Sequence, residues 1–211
     1  MKIINFLLSR FFRLIPIESL LINSYKTFTI SEKLDLRIPY TNIESIEFLK
    51  NHTESNPDLK VFEYGSGSST LFFEDNCKEV HSVEYDEEWY KFIKKYSNKA
   101  NIYFVKPEIS KNPKIKSKKY FYRKFDFYEY VNFIKTFDEK FDIIFIDGRA
   151  RAECLKVAKE HINPGGIIIF DDSHRLRYKK ILKVELKNKF VLNLKGLTTF
   201  LPSITRVSFI K

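Results

Sequence analysis

Residues 61–70 read Val-Phe-Glu-Tyr-Gly-Ser-Gly-Ser-Ser-Thr, which predicts a buried strand that breaks into a glycine loop and then opens a helix. Gly65 and Gly67 lack a Cβ, so the backbone can turn sharply there and come close to a ligand. A hydroxyl side chain after Gly67 can cap the helix, whose first N–H groups would then face a bound polar group. The stretch therefore predicts a nucleotide-cofactor loop at the end of a strand.

A carboxylate follows at the end of the next predicted strand. Residues 79–85 alternate as a strand does, and Glu84 lies near their C-terminal end, nineteen residues after Gly65. In nucleotide-binding folds, an acid about 20 residues beyond the glycine loop accepts hydrogen bonds from a ribose diol. We therefore expect Glu84 to bind a ribose and Tyr85 to flank the adenine. The alternative is a solvated acid in an acidic turn.

The glycine loop favours S-adenosylmethionine over a dinucleotide in two details. Glu63 lies two residues before Gly65, which makes the pattern ExGxG, and Thr70 stands where GxGxxG has its third glycine. Without that glycine the dinucleotide fingerprint is incomplete. The expected cofactor is S-adenosylmethionine. Its expected binding residues are Glu63, Gly65, Gly67, Ser68, Ser69, Glu84, Tyr85 and Asp147.

Short apolar runs alternate with helix-like segments along the rest of the chain. This alternation predicts an α/β fold with a mostly parallel sheet and right-handed crossovers, which binds ligands at the carboxyl ends of its strands. The helix after Asp86 is expected to bury Trp89 and the apolar residues on its stripe against the sheet. The predicted strands are residues 61–64, 80–85, 102–105, 141–147 and 167–171, and the further helices are residues 127–137 and 152–161, the latter stopped by Asn163-Pro164-Gly165-Gly166.

Length and composition suit one α/β domain with an N-terminal extension. We place the extension at residues 1–40 and the domain at residues 41–211, with Thr41-Asn42-Ile43-Glu44 as a capping box at its first helix. The chain is 44% hydrophobic, and no apolar run approaches the roughly 18 residues that cross a bilayer, so we expect a soluble protein. Two cysteines, Cys77 and Cys154, are typical of reduced thiols in a cytoplasm.

Two basic segments leave the partners open in a chain of net charge +10. In residues 106–124, lysines and arginines are interleaved with tyrosine and phenylalanine, which is typical either of a surface for single-stranded nucleic acid or an acidic substrate, or of a solvated loop. If it is functional, its place after the third strand allows it to act as a lid beside the adenine. Residues 1–15 predict a basic amphipathic helix that lies on an anionic membrane surface, or packs on the domain or on a partner subunit.

Two predicted strands end in acids, Asp147 and the pair Asp171-Asp172. The ends of adjacent parallel strands lie side by side, so three carboxylates are expected to converge, which is costly unless they bind a cation, are protonated or form ion pairs. One reading is an Mg²⁺ or Mn²⁺ site that lowers the pKa of a substrate hydroxyl. The other is pairing without metal to nearby arginines, namely Arg149, Arg151, Arg175 or Arg177.

Residues 61–172 resemble class I S-adenosylmethionine-dependent methyltransferases. Glu63-Tyr64-Gly65-Ser66-Gly67 is similar to their first motif, Glu84 to their ribose acid, and Asn163-Pro164-Gly165-Gly166 to the turn before their fifth strand. The resemblance implies a Rossmann-like, doubly wound, mostly parallel seven-stranded sheet with helices on both faces and an antiparallel last strand. More narrowly, the motifs EYGSGSST, SVEYD, DGRAR and DDSHR resemble a poorly characterised bacterial group of small methyltransferases.

The same resemblance bears on the catalytic residues. Asp147, Asp171 and Asp172 stand at positions similar to the metal-binding acids of catechol O-methyltransferase and of macrocin O-methyltransferase-like sugar methyltransferases. Ala150 stands where those enzymes carry a Lys or His base. His174 is the nearest replacement, because an imidazole titrates near neutrality, and the competing reading is a structural histidine. The catalytic residues so implied are Asp147, Asp171 and His174.

The expected reaction is transfer of a methyl group to an oxygen nucleophile by proximity and alignment. By analogy with sugar methyltransferases, the preferred acceptor is a carbohydrate or another small hydroxylated molecule. The alternatives are a nucleic-acid (RNA) methyltransferase, and a protein without catalytic activity that uses this fold to bind nucleic acid or a membrane surface.

Overall fold

A seven-stranded sheet runs through the computed structural model, which describes residues 29–117, 120–200 and 203–211. The spatial order of the strands is β3-β2-β1-β4-β5-β7-β6. The first five strands in this order run parallel to one another, whereas β7 runs antiparallel to both β5 and β6. The predicted Rossmann-like fold, including its antiparallel last strand, is confirmed. The strands are β1 (Lys60–Tyr64), β2 (Glu79–Glu84), β3 (Asn101–Phe104), β4 (Phe141–Ile146), β5 (Ile162–Phe170), β6 (Val191–Leu197) and β7 (Ile204–Ile210).

Helices cover both faces of this sheet. Because successive strand residues point to opposite faces, Val61 and Ile143 enter one core while Phe62 and Ile144 enter the other. The first core is completed by α1 to α4 and the second by α5 to α7. The helices are α1 (Ile30–Asp35), α2 (Ile43–Glu54), α3 (Ser68–Asn76), α4 (Glu87–Lys94), α5 (Tyr128–Asn132), α6 (Arg151–His161) and α7 (Leu176–Glu185).

Two predicted helices differ in detail from those observed. The helix predicted for residues 127–137 is α5 followed by a 3₁₀ helix, Phe133–Thr136. Of the residues predicted to face inward, Phe127, Tyr130, Val131 and Ile134 are buried and Phe137 is partly buried. Helix α6 ends at His161 as predicted. The Asn163-Pro164-Gly165-Gly166 stretch then belongs to β5, whose register against β4 shifts between Phe141 and Ile143. The residues that were predicted to end the helix therefore form an irregular part of β5.

The expected capping box at α2 is wrong. Asn42, not Thr41, is the N-cap residue, and its Oδ1 accepts a hydrogen bond from the backbone N–H of Ser45 at 2.9 Å. Thr41 instead donates its hydroxyl proton to Asp171 Oδ1 at 3.1 Å. A residue expected to start a helix therefore contacts a carboxylate 130 residues further along the chain.

The predicted extension is described only from Thr29 onward, and the basic helix expected in residues 1–15 lies outside the described residues. Leu34 is fully buried in the core that α1 shares with α3, and Arg37 forms ion pairs with Glu74 and Asp75 of α3. Part of the segment before residue 41 thus packs on the sheet domain.

Within the described part of the chain, every helix is too short or too polar to cross a bilayer. Cys77 and Cys154 are both free thiols.

Candidate cofactor pocket and acid cluster

The ends of β1 and β4 touch through two glycines. Gly65 has a φ of +97°, and a Cβ built there would lie 2.7 Å from the Cα of Gly148. A Cβ on Gly148 would lie 2.0 Å from the hydroxyl oxygen of Tyr130 and 2.9 Å from the carbonyl oxygen of Tyr64. Since Cβ contacts under 3.0 Å essentially do not occur, neither position has room for a side chain. Close backbone contact therefore requires both glycines.

The second loop glycine, Gly67, is in a different situation. Its φ of 177° is ordinary extended backbone, and no described atom lies within 4 Å of a Cβ built there. Its N–H donates to Thr70 Oγ1 at 2.8 Å. The open space beside Gly67 is where a ligand could come close to the loop.

Glu84 is held at the end of β2 by four hydrogen bonds. Its Oε2 accepts from the backbone N–H and the hydroxyl of Ser66, at 3.1 and 3.2 Å, and its Oε1 accepts from the N–H groups of Tyr85 and Asp86, at 2.7 and 2.9 Å. Burial raises the pKa of Glu84 to about 6, although these hydrogen bonds oppose the rise. The residue is only 2% exposed, so the alternative of a solvated acid is wrong.

A cavity of about 600 Å³ opens at this carboxyl edge of the sheet. It brings together four of the residues predicted to bind the cofactor, namely Gly65, Glu84, Tyr85 and Asp147. This volume lies in the range of pockets that hold small-molecule cofactors. The other lining residues are Ser66, Asp86, Trp89, Tyr122, Gly148, Arg149, Arg151 and Arg175.

Three of these lining residues were missed or misread from the sequence. Trp89, expected in the core, packs against it with one side and lines the cavity, while its indole Nε1 donates to the Ser66 carbonyl oxygen at 2.8 Å. Arg149 donates from Nε to the Tyr85 hydroxyl at 2.9 Å, and its guanidinium lies 5.3 Å from the centre of the Tyr85 ring and 5.1 Å from that of Tyr122. The i, i+3 spacing of Trp89 and Phe92 indicates a buried helix face, and nothing in that spacing distinguishes a core residue from a cavity wall.

The remaining predicted cofactor residues, Glu63, Gly67, Ser68 and Ser69, do not line this cavity in the described structure. Glu63 is fully buried and accepts hydrogen bonds from the hydroxyls of Ser69, Thr70 and Ser82, the last at 2.7 Å. Burial raises its pKa to about 7. Ser68 is also buried. These contacts hold the loop in shape, since Thr70 also accepts the Gly67 N–H.

The three predicted carboxylates converge around one arginine. Arg151, at the start of α6, donates from Nη1 to Asp172 Oδ2 at 3.2 Å and to Asp171 Oδ2 at 3.4 Å, and from Nη2 to Asp147 Oδ1. Burial opposes the charge on Arg151, but the three acids still raise its pKa. Burial, with the charge of Asp147 added, raises the pKa of Asp171 well above its ordinary value. Arg175 forms a further ion pair with Asp172.

This arrangement matches the second reading of the acid cluster, in which the three carboxylates pair with arginine. Carboxylate oxygens of Asp147, Asp171 and Asp172 lie within 4.8 Å of one another, which is close enough to share a cation. The guanidinium of Arg151 already contacts all three, however, and supplies the compensating charge that a metal ion would supply. We therefore derive no step through Mg²⁺, and the metal site stays a prediction.

His174, predicted as the catalytic base, is exposed to solvent. Its Nδ1 accepts the backbone N–H of Arg206 at 3.3 Å, and it is not among the described residues that line the cavity. Ala150, where the resemblance implied a base in other methyltransferases, is the N-cap residue of α6 and has a φ of 49°. Structural contacts account for His174, and its catalytic role stays a prediction.

The basic segment 106–124 lies beside the cavity, as expected. A two-stranded ribbon of Glu108–Ile109 and Phe125–Asp126 closes it, and the Asp126 carboxylate accepts the N–H groups of Lys114 and Ile115 at 2.8 and 3.0 Å. Tyr122 of this segment lines the cavity. The segment is therefore connected to the site, and its action as a lid stays a prediction.

A family model described as a methyltransferase domain matches residues 62–173, a range that includes the glycine loop, Glu84 and the three acids. The chain belongs to this methyltransferase-domain family. No curated protein matches it. The narrower resemblance to one bacterial group of small methyltransferases stays a prediction.

Solved structures agree with the fold of this methyltransferase. An O-methyltransferase from Bacillus cereus in complex with SAH aligns with a TM-score of 0.58 and 14% identity over 94% of this chain and 93% of that chain. A precorrin 8W decarboxylase from Methanobacterium thermoautotrophicum aligns with a TM-score of 0.51 and 13% identity over 82% and 91%. At these identities the likeness shows the fold alone. S-adenosylmethionine is the expected cofactor of this fold.

Proposed function

We propose that this methyltransferase transfers the methyl group of S-adenosylmethionine to a hydroxyl oxygen of a carbohydrate or another small hydroxylated acceptor. The observation that carries the proposal is that the wall of one cavity contains both the Glu84 carboxylate and the Asp147 carboxylate. The Glu84 carboxylate is suited to accept hydrogen bonds from a ribose diol, and the Asp147 carboxylate is suited to accept one from an acceptor hydroxyl.

The residues around the cavity fit the cofactor. Glu84 presents an oriented carboxylate that can accept hydrogen bonds from a diol, and the open side of Gly67 leaves room for close approach of a ligand. The rings of Tyr85, Trp89 and Tyr122 offer apolar surface to a purine. When bound, S-adenosylmethionine supplies an electrophilic methyl group carried on a sulfonium. Glu84 and the loop hold it, while Glu63 keeps the loop in shape.

Asp147 is the acid best placed to act on the acceptor. Its side chain is 32% exposed and lines the cavity, whereas that of Asp171 is 8% exposed and is held by Thr41 and Arg151. Burial raises the pKa of Asp147 although Arg151 opposes the rise, and a base with a raised pKa is better matched to proton transfer near neutral pH. Arg151 fixes the carboxylate by bonding both its side chain and its backbone carbonyl. Asp147 then accepts the hydrogen bond, or the proton, of the acceptor hydroxyl.

A second candidate, methylation of RNA, is favoured by one observation. Tyr120 and Phe121 are 72% and 83% exposed on the basic segment, where they could stack on unpaired bases. The similar protein from Bacillus cereus is an O-methyltransferase, which agrees with the first candidate.

Calorimetric titration with S-adenosylhomocysteine tests the cofactor half of the proposal. Glu84→Ala is expected to weaken binding by roughly 1–3 kcal/mol, the loss of charged hydrogen bonds. Unchanged affinity in a folded variant would remove Glu84 from the site.

Transfer of a labelled methyl group to a panel of sugars, polyols and RNA tests the acceptor half. Asp147→Asn is expected to keep most of the affinity for S-adenosylhomocysteine and to lose methyl transfer. Asp138→Asn, an exposed acid outside the cavity, is the matched control and is expected to leave transfer unchanged. Methylation of RNA alone, or full transfer by Asp147→Asn, would contradict the proposal.

A further inference from the structure

A second, small pocket of about 70 Å³ adjoins the cofactor cavity. Gly148, Arg149, Arg151 and Arg175 line both spaces, so the two pockets lie side by side. The small pocket is strongly basic. Its charged lining residues are Lys116, Arg149, Arg151, Arg175 and Arg177, against a single acid, Glu153.

The acids nearby neutralise only part of this charge. Arg151 pairs with all three carboxylates of the acid cluster, and Arg175 pairs with Asp172. Glu153 pairs with Lys156 at 2.8 Å. Among the described residues, no carboxylate lies within 4.0 Å of the charged groups of Lys116 or Arg149. The pocket therefore keeps an excess of positive charge.

Arg149 is held in place while it carries this charge. The Tyr85 hydroxyl accepts its Nε–H, and its guanidinium lies over the rings of Tyr85 and Tyr122. Such contacts fix a cation without neutralising it. The pocket also lies at the N-terminus of α6, where Ala150 offers no side-chain cap and the helix dipole favours an anion.

These features select the chemistry of the acceptor. A guanidinium group held in one orientation can donate two hydrogen bonds to two oxygens of the same phosphate group. Several cations together with a helix N-terminus favour a doubly charged anion over a singly charged carboxylate. The pocket is small and concave, which fits one phosphate group rather than a nucleic-acid strand.

We propose that the acceptor carries a phosphate group, which binds between Lys116, Arg149 and the N-terminus of α6 while its hydroxyl faces Asp147. This inference rests on the proposed function and narrows its substrate class to phosphorylated hydroxylated molecules.

Titration with inorganic phosphate, on protein saturated with S-adenosylhomocysteine, tests the proposal. Phosphate is expected to bind in the millimolar range, and Arg149→Gln and Lys116→Gln are each expected to weaken it about fivefold or more. Lys116→Gln is the second variant because Arg149 also contacts Tyr85. Lys78→Gln, an exposed lysine that precedes β2 at the opposite edge of the sheet, is expected to leave the affinity unchanged.

Three results would overturn the inference. These are the absence of phosphate binding, phosphate binding that neither variant weakens, and an oligouridine that displaces phosphate and binds far more tightly, which would assign the surface to nucleic acid. Binding of S-adenosylhomocysteine is measured first, on the same protein preparation before phosphate is added. If it binds and phosphate does not, only the phosphate site is refuted. If it does not bind, the proposed function is refuted.

Discussion

Replacement of Arg151 by methionine tests the electrostatics of the acid cluster most directly. The Arg151 side chain is 8% exposed, and methionine keeps much of its apolar stem but removes the guanidinium that contacts the carboxylates of Asp147, Asp171 and Asp172. Removing one partner of a buried ion pair costs roughly 3–5 kcal/mol, because the other charge stays buried without compensation. Arg175 still pairs with Asp172, so we expect a loss near the lower end of this range.

The loss should depend on pH in a defined direction. Burial raises the pKa of Asp171 in the folded protein, and removal of Arg151 raises it further. A carboxyl with a raised folded pKa contributes stability that is present below its unfolded pKa and is lost as the pH rises through the folded pKa. The deficit of Arg151→Met is therefore expected to be greatest above neutral pH and to shrink as the acids become protonated.

Urea denaturation followed by the fluorescence of Trp89, the single tryptophan, measures the free energy of unfolding. Arg149→Met is the matched control, since it removes a neighbouring guanidinium that has no carboxylate partner within 4.0 Å among the described residues. If Arg151→Met loses no more stability than Arg149→Met, Arg151 does not compensate the buried charges of the acid cluster. Adding Mg²⁺ to Arg151→Met and to Arg149→Met tests the predicted metal site, because a bound cation would raise their free energy of unfolding by mass action.

Three further predictions concern the loop and its support. Affinity for S-adenosylhomocysteine should fall as the pH drops below about 6, where Glu84 gains a proton and loses acceptor capacity, and calorimetry should show no such fall in Glu84→Gln. Gly148→Ala should destabilise the fold by roughly 1–3 kcal/mol by overpacking against Tyr130, and Tyr130→Phe should recover part of that loss in urea denaturation. Burial raises the pKa of Glu63 from 4.5 to about 7, so this residue contributes stability that is fully present below pH 4.5 and is lost as the pH rises through 7, about 3 kcal/mol in all. Glu63→Gln should abolish this pH dependence. A free energy of unfolding of the wild-type protein that does not fall over this pH range would contradict the prediction.

The glycine loop and the strand-end position of Glu84 were predictable, because their signals are local. A strand that runs into Gly65, followed by a carboxylate at the end of the next strand, specifies two neighbouring strand ends in any parallel sheet. Glu84 therefore lies at the cavity wall as predicted. The sequence did not distinguish Glu63, Ser68 and Ser69, which support the loop, from residues that face the ligand. Whether one of these side chains is buried or faces the cavity depends on how several strands and helices pack around it.

The acid half was predictable only in outline. The strand-end positions of Asp147 and Asp171 predict that they meet, and they do. Which cation would compensate them stayed open between a metal and four arginines, since the choice depends on how the loop after β4 and the first turns of α6 and α7 pack around the acids. The structure places Arg151 among the acids and leaves Arg149 beside Tyr85.

By itself, the sequence determined the sheet, the glycine loop and the position of Glu84 at a strand end, because strand alternation and short spacings act between near neighbours. Only the tertiary structure decided that Thr41 bonds Asp171 across 130 residues, that Trp89 and Tyr122 line the cofactor cavity, and that a basic pocket adjoins it. These contacts join residues that are remote in the chain. They exist because the strand order 3-2-1-4-5-7-6 brings the strand ends to one edge, and side-chain packing then decides which groups share the space.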